Sequence, residues 1–365
     1  MGAGAAGGSP LTFVSVCTAD RLRGLAAVVE SVHEFHPGAR FMAWCLGPAW
    51  RGGLRGVEVR SVDELRIHDW NRFAFQYTAL ELCCAIKPHA LLHALGEAGG
   101  TPCVYLDTDV LVYSALDELT DLLQDAAIVL VPHLTAPPAN PSRAVDVVKH
   151  GVYNGGILAV RASESARAFL CWWRERTRRD CIADADGHLF VDQYWLTLVP
   201  GLFDGVGILR HPGYNVGYWN ISERPLAHHA SNQWQAGGEP LRVFHFSGFD
   251  AGDPLRLSRY SDDTAAAGSD LGVLLSGYAA RLGRWAAADP PAYIYGTLAD
   301  GTPIDPRWRE LIRVNHPSFR GVANPFDVGA RPGLVHDFRA LAADVNRAGW
   351  DPSSVRPGSG RIQAS

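Results

Sequence analysis

Asp107 and Asp109 stand two residues apart at the end of an apolar run, Pro102 to Leu106, that reads as a short buried strand. The turn that ends the strand lets both carboxylates reach one hard cation. Mg2+ or Mn2+ prefers such oxygen ligands and keeps other positions for water and diphosphate oxygens. The triplet alone is a weak pointer, because about one or two Asp-x-Asp triplets arise by chance in a chain this rich in Asp. Asp184-Ala185-Asp186 is a second example. Context separates the two: the first ends an apolar strand in an α/β pattern, where ligands bind at strand carboxyl ends, whereas the second follows a charged helix in a Gly-containing loop. Strand-end capping or turn formation would use Asp107 and Asp109 without any metal.

Asp192 and Gln193 lie between Phe190-Val191 and Tyr194-Trp195, which carries a carboxylate and an amide into a largely aromatic setting. Aromatics continue to Trp234, interleaved with His211, Asn215, Asn220, His228 and His229. Sugar rings present apolar faces and hydroxyl edges, so aromatic platforms with amide and imidazole partners suit them. Most such rings are core, and Trp219 and Asn220 are the first candidates to touch a substrate. His211, His228 and His229 lack the paired spacing of a zinc site. His245 sits between Phe244 and Phe246, where a satisfied core histidine is the plain alternative to a ligand.

The elements that must position these groups alternate. A strand at Thr12 to Val16 leads through Cys17-Thr18-Ala19-Asp20 into a helix with Leu22, Leu25, Val29 and Val32 at helical spacing, stopped by His36-Pro37-Gly38. Strands follow at Phe41 to Leu46 and Val57 to Val62, and this order argues for a parallel α/β sheet. Asn71 to Leu95 reads as a helix interrupted at Lys87-Pro88, since the residue before a proline leaves the α region. After Asp109 come Val110 to Val112, a helix at Leu116 to Leu123, a strand at Ile128 to Val131 and a Pro-rich loop from Pro132 to Pro141. A strand at Gly155 to Val160 precedes a helix from Ser163 to about Arg178, with Ala166, Phe169, Leu170 and Trp173 on one face. Short strands among aromatic loops reach His245. An Ala-rich helix from about Leu271 to Ala288 opens a Pro, Gly and Trp-rich tail.

The 365 residues suffice for about two domains, or one large α/β domain with a tail. Hydrophobic residues make up 47% and charged residues 19%, which excludes a disordered polypeptide. A formal charge of −5 lacks the basic excess that nucleic-acid binding demands. The seven cysteines lie mostly in apolar runs, odd in number and without a C-x-x-C, as expected of buried reduced thiols in a cytoplasmic protein. Met1 to Pro10 lacks the pattern of a signal peptide and is expected to be disordered. No run of 18 apolar residues offers a transmembrane segment. Ala6 stands where N-myristoylation expects Ser or Thr.

The order of these motifs carries a resemblance. Cys17-Thr18-Ala19-Asp20, Tyr105-Leu106-Asp107-Thr108-Asp109, Asn154-Gly155-Gly156-Ile157-Leu158, Asp192-Gln193 and His245-Phe246-Ser247-Gly248 together resemble metal-dependent glycosyltransferases of the GT-A fold, in particular the glycogenin and bacterial lipopolysaccharide galactosyltransferase group. The resemblance covers roughly residues 11 to 250. It implies a Rossmann-like α/β nucleotide-diphospho-sugar transferase domain over 11–260, with 261–365 as a helical and irregular extension that serves acceptor or oligomer contact. It places Thr18, Ala19 and Asp20 against the base and ribose, Lys87 near a phosphate, and Asn154, Gly155 and Gly156 along the donor sugar. Gly248 joins that donor-binding set as the end of the His245 motif. Asp107, Asp109 and His245 are the implied ligands of Mn2+ or Mg2+, with Asp107 also counted toward the donor, and Asp192 and Gln193 lie beside the anomeric carbon. The family continues after the histidine into Lys-Pro-Trp, a phosphate clamp. Here Gly248-Phe249-Asp250 follows, so the clamp is missing or built from other residues.

The implied function is transfer of a sugar from a nucleotide-diphosphate sugar, UDP-linked by resemblance and with retention favoured. The acceptor is a glycan, a lipid-linked saccharide, a natural product or a protein. Inversion would need a true base, for which Asp192 or Asp250 is the candidate. A sugar-nucleotide nucleotidyltransferase is the second reading; it needs a Gly-rich, Arg-containing loop after the first strand, and Cys17-Thr18-Ala19-Asp20 has no Gly. A decayed carbohydrate-binding protein on the same fold is the third, although it would be expected to lose the metal carboxylates first.

Overall fold

The structure is a computed structural model that describes residues 10–47, 54–184, 189–229, 233–285, 293–329 and 331–348. The disorder expected of the first ten residues falls on 1–9, outside the described residues. Asp186 of the second triplet and the end of the expected Ala-rich helix, 286–288, lie outside them too.

The chain begins with β1 (Thr12–Thr18), α1 (Leu22–Phe35), β2 (Arg40–Leu46) and β3 (Glu58–Ser61). Then come α2 (Trp70–Phe75), α3 (Ala79–Glu97), β4 (Cys103–Leu106), β5 (Val110–Val112) and α4 (Asp117–Asp125). β6 (Ile128–Pro132), α5 (Pro141–His150), β7 (Tyr153–Val160) and α6 (Glu164–Arg176) follow. Short pieces come next: β8 (Ala183–Asp184), β9 (Leu189–Phe190), α7 (Gln193–Leu196), α8 (Val199–Leu202) and β10 (Val206–Ile208). β11 (Leu226–His228), β12 (Trp234–Ala236), β13 (Glu239–Pro240), β14 (Val243–His245) and α9 (Asp270–Arg284) complete this part, before α10 (Pro306–Arg313) and α11 (Leu334–Ala348).

The central sheet has seven strands in the order β10-β6-β7-β4-β1-β2-β3. β1 runs parallel to both β2 and β4, and β7 is antiparallel between β4 and β6. Every residue of β1 is buried, as a strand covered on both faces requires. From β1 the chain winds outward to β2 and β3, then returns to place β4 on β1's other side. The carboxyl ends of β1 and β4 therefore flank a topological switch point, where open α/β sheets bind ligands. This is the α/β class expected from the sequence.

The helices bury the faces their spacing foretells. α1 sets Leu25, Val28, Val29 and Val32 into the core with Phe13, Phe41 and Val104, each worth roughly 1.5–3 kcal/mol when fully buried. α6 buries Ala166, Phe169, Leu170 and Trp173, and its N-cap Ser163 accepts from the Ala166 amide.

Two elements depart from the sequence reading. α3 runs unbroken through Pro88, and the interruption falls at Gln76-Tyr77-Thr78 instead. There Thr78 and Glu81 form a reciprocal capping box, the Thr78 amide donating to Glu81 Oε2 at 2.8 Å and the Glu81 amide to Thr78 Oγ1 at 3.4 Å. A helix-interior proline costs about 3 kcal/mol, which the buried Ala85, Ile86, Ala90 and Leu91 around it outweigh. The Pro-rich loop ends in an unforeseen helix, α5, started by Asn140 accepting from the Ser142 amide with Pro141 at the first helical position.

Chain contacts divide the molecule into two units, residues 1–65 with 83–292, and residues 66–82 with 293–365. In the first unit, Leu274, Leu275 and Tyr278 of α9 share a core with Phe244 and Phe246. In the second unit, Phe75, Trp308, Phe319 and Phe338 form a separate core. Arg72 donates to the carbonyls of Phe319 and Val322, and Arg309 to those of Phe75 and Tyr295.

Candidate active site

β4 ends where its ladder with β7 makes a last bond, from the Asp107 amide to the Gly156 carbonyl at 2.9 Å. The Asp107-Thr108-Asp109 turn then redirects the chain into β5, which pairs antiparallel with β14 and sets Val110 opposite His245. A residue 135 positions away in sequence is thereby delivered to the Asp-x-Asp turn. Ligand-type atoms of Asp107, Asp109 and His245 all lie within 4.8 Å of one another, and His245 Nε2 stands 3.1 Å from Asp109 Oδ1.

Burial pushes the Asp107 carboxyl up, against the pull of Lys87. Burial acts on Asp109 in the same direction, but the His245 imidazole attracts and hydrogen-bonds it and holds it below its ordinary value. His245 is raised in turn: burial opposes its charge, and Asp109 overrides that penalty.

Lys87 is 3% exposed and sits at the centre of the acids. Its Nζ lies 3.2 Å from Asp107 Oδ1, 3.2 Å from Asp192 Oδ2 and 3.0 Å from the Gly155 carbonyl. Burial alone would lower its pKa, yet Asp107 and Asp192 raise it well above the usual lysine value. Tyr105 completes the surround, donating its hydroxyl to Asp107 Oδ1 at 2.9 Å beneath the ammonium. Lys87 Nζ also donates to Asp107 Oδ2 at 3.4 Å, so it straddles both oxygens of the carboxylate while Tyr105 holds Oδ1 alone.

The two glycines of β7 are required by close approach. A Cβ on Gly156 would lie 2.6 Å from Asp107 Oδ2, 2.6 Å from His245 Cε1 and 2.8 Å from Asn154 Oδ1. On Gly155 it would meet Asp192 Oδ2 at 2.7 Å and Gln193 Cβ at 3.1 Å. Asn154 accepts from the Gly156 amide and donates to His133 Nε2 at 3.1 Å, while His133 Nδ1 donates to the Val152 carbonyl. Burial lowers His133 to about 4, so it is neutral and can accept. Asp192 is 1% exposed, entered through Val191 at φ 42°, a left-handed conformation uncommon for a β-branched residue. Trp173 Nε1 donates to the Asp192 carbonyl and holds that turn. Gln193 donates to the His150 carbonyl at 2.8 Å and accepts from the Gly155 amide at 3.3 Å.

Asp107, Asp109, His245, Lys87, Asn154, Gly155, Gly156, Asp192 and Gln193 therefore form one contiguous site. Thr18, Ala19 and Asp20 lie at the neighbouring strand end, with Thr18 Oγ1 donating to the exposed Asp20 carboxylate. Gly248 follows His245 in a turn at φ 72° and faces Ser258 and Tyr260. Trp219 and Asn220 are buried braces: Trp219 stands edge-on to both His133 and His245, and the Asn220 amide donates to the His133 and Asn215 carbonyls. Sequence reasoning missed Gly24, whose absent side chain lets α1 reach the Thr108 carbonyl, where a Cβ would stand 2.3 Å away. It missed Arg21, whose charge helps lower Asp109, and the braces Tyr105 and His133. A tyrosine two residues before Asp107 was visible; the others act across long sequence separations.

The donor set fits a divalent cation. Two carboxylates and an imidazole converge, and the absence of a side chain at Gly156 lets Asp107 Oδ2 and His245 close in over the β7 backbone.

No protein-family model matches the chain. An uncharacterised Bacillus subtilis (strain 168) protein, YfnF, is 26% identical over 172 residues, 46% of this chain and 57% of YfnF, so the matched stretch spans little more than half of that relative. A second protein of the same strain, YfnD, also uncharacterised, is 21% identical over 250 residues, 66% of this chain and 78% of its own. Among solved structures, the galactosyltransferase LgtC in complex with donor and acceptor sugar analogues is 17% identical with a TM-score of 0.44, covering 76% of this chain and 98% of LgtC. An active-site mutant of LgtC gives 18% identity and a TM-score of 0.43, covering 73% of this chain and 95% of its own.

Proposed function

We propose that the chain is a metal-dependent glycosyltransferase that takes its sugar from a nucleotide-diphosphate donor, UDP-linked by resemblance, and passes it to an acceptor hydroxyl. The observation that carries this reading is the convergence of Asp107, Asp109 and His245 at a strand end beside the Lys87–Asp192 pair and Gln193.

Asp107, Asp109 and His245 would hold Mn2+ or Mg2+. When bound, the ion supplies Lewis-acid neutralisation of the diphosphate leaving group. The exposed Asp20 carboxylate and the Thr18 hydroxyl at the end of β1 suit a ribose edge. Gly155 and Gly156 line the donor sugar with bare backbone, because Asp192 and Asp107 pack too close to them to leave room for side chains. Asp192 is buried and held by Lys87, so it fits the role of a fixed negative charge near an oxocarbenium-like centre better than that of a base meeting an incoming acceptor. Gln193 is pinned at both ends of its amide and orients toward the same centre. These roles accord with retention.

No helix among the described residues is long and apolar enough to cross a membrane. The seven free cysteines, five of them buried, accord with a reducing cytoplasm.

The test is a screen of nucleotide sugars with and without Mn2+, reading slow donor hydrolysis without acceptor and the anomeric configuration of the released sugar by NMR. A hydrolysed donor that Asp109→Ala turns over equally well would remove the metal assignment. A protein that binds no nucleotide in any metal would remove the transferase reading itself.

A further inference from the structure

Trp219 ties the candidate metal site to a second surface. Its indole is 6% exposed, stands at 90° to His245 with ring centroids 5.2 Å apart, and donates to the Asn215 carbonyl, so it braces the site without offering a face to solvent. Tyr218 packs against it at 5.1 Å, and Tyr260 lies against Tyr218 at 5.9 Å. Tyr260 is 53% exposed.

This ledge is built, not a loose loop. The Arg259 amide donates to the Gly248 carbonyl at 2.9 Å, the Ser258 hydroxyl to the Ser247 carbonyl at 2.8 Å, and the Tyr260 amide to Ser258 Oγ at 3.1 Å. Residues 258–260 are thereby folded back onto the turn that follows His245. Gly248 admits them: a Cβ there would stand 2.7 Å from the Tyr260 ring.

Two guanidinium groups border the rings. Arg143, from α5, lies over Tyr218 at 5.7 Å, and Arg259 lies over Tyr260 at 4.8 Å and donates to its hydroxyl at 2.6 Å. Arg40, Arg60 and Arg242 each pair with a carboxylate, whereas among the described residues Arg143 and Arg259 do not. At Tyr218 the charge of Asp146, three residues along α5, opposes that of Arg143, and Asp262 and Asp263 follow Tyr260 in the chain. Tyr218 and Tyr260 are tilted at 39° to one another; a tyrosine face left open to solvent receives the apolar face of a sugar, and guanidinium forks without a carboxylate partner receive a carboxylate or phosphate.

We propose that Tyr218, Tyr260, Arg143 and Arg259 form the acceptor subsite and that the acceptor is a saccharide bearing an acidic group. Its service as the acceptor site rests on the transferase reading; the affinity for an acidic saccharide does not. The test is an NMR titration of the full chain with methyl glucuronide, a hexose 6-phosphate and neutral methyl glucoside, the first two separating a carboxylate from a phosphate source. At least one acidic sugar should bind about tenfold more tightly than the neutral one, and Arg143→Gln and Arg259→Gln should each reduce that preference. Asp109→Asn, which removes a metal ligand, should leave it in place. Melting curves verify folding. Should either arginine variant fold poorly, raising NaCl from about 0.05 to about 0.5 M on the wild type must erase most of the preference. Equal binding of acidic and neutral sugars, or a preference that survives both substitutions, overturns the subsite. Donor hydrolysis without acidic preference overturns the subsite alone, whereas acidic preference without Mn2+-dependent nucleotide binding keeps the subsite and overturns the transferase reading.

Discussion

Replacing Gly156 by Ala tests the site with a single methyl group. The new Cβ would lie 2.6 Å from Asp107 Oδ2 and 2.6 Å from His245 Cε1, whereas non-bonded carbon atoms settle at about 3.5–4.0 Å. The His245 ring would have to retreat by about 1 Å, and it is backed edge-on by Trp219. Asp107 has no freer path, because Lys87 and Tyr105 hold its other oxygen. Overpacking of this kind costs about 1–3 kcal/mol of stability, so the variant should fold with a lowered melting temperature. Function should suffer more, since a displacement of about 1 Å in a preorganised site costs about 100-fold. Mn2+-dependent nucleotide binding, followed by calorimetry, and donor hydrolysis report this loss. Gly277→Ala in α9 serves as the control: nothing stands within 4 Å of its new Cβ, and the exchange should leave binding unchanged and stabilise by about 0.5–1 kcal/mol. Mn2+-dependent binding by Gly156→Ala within twofold of wild type would refute the placement of the cation between Asp107 and His245.

Three further outcomes follow from the geometry. Lys87→Met leaves Asp107 and Asp192 without their shared cation, and breaking a buried pair costs about 3–5 kcal/mol; urea unfolding should show that loss, with Asp192→Asn added to the same chain restoring part of it, and a double variant no better than the single would contradict the pairing. His133, lowered to about 4 by burial, makes folding pH-dependent. The unfolded chain takes up this proton near 6.5 and the folded chain only near 4, so the contribution is complete above about 6.5 and falls away as pH drops toward 4, by about 3 kcal/mol. His133→Gln should flatten the stability profile between those limits, and an unchanged slope would rule this source out. Asp109→Asn and His245→Gln should each weaken Mn2+-dependent nucleotide binding by at least about tenfold, while nucleotide binding without metal changes little; equal loss in both conditions would indicate damage to the fold.

The Asp107-Thr108-Asp109 turn was legible because an apolar run ending in acids is a local pattern, and local patterns survive in sequence. β1, α1, β4 and α6 were legible for the same reason: their burial follows from spacing within one element. The interruption predicted at Lys87-Pro88 fails because it weighed a backbone preference against nothing. In the folded chain Ala85, Ile86, Ala90 and Leu91 are all buried, and together they outweigh one missing helix bond. That miss changes the chemistry as well as the outline. Lys87 was expected in a break, open to a phosphate; on a continuous helix it is driven inward to Asp107 and Asp192, residues 20 and 105 positions further on.

The same distinction separates what could be read about Trp219 from what could not. Composition marked it as a sugar-platform candidate, but a ring's role depends on which side of it water can reach. Trp219 is closed in by His133, His245 and Tyr218, so the contact face passes to its neighbour Tyr218 and from there to Tyr260, 42 residues away. The departure from the Lys-Pro-Trp pattern after His245 has the same character. Read locally, Gly248-Phe249-Asp250 lacks a cation. In space, the Arg259 backbone amide donates to the Gly248 carbonyl, while its guanidinium lies over Tyr260. The fold-back of residues 258–260 onto that turn is encoded by no spacing within the His245 motif.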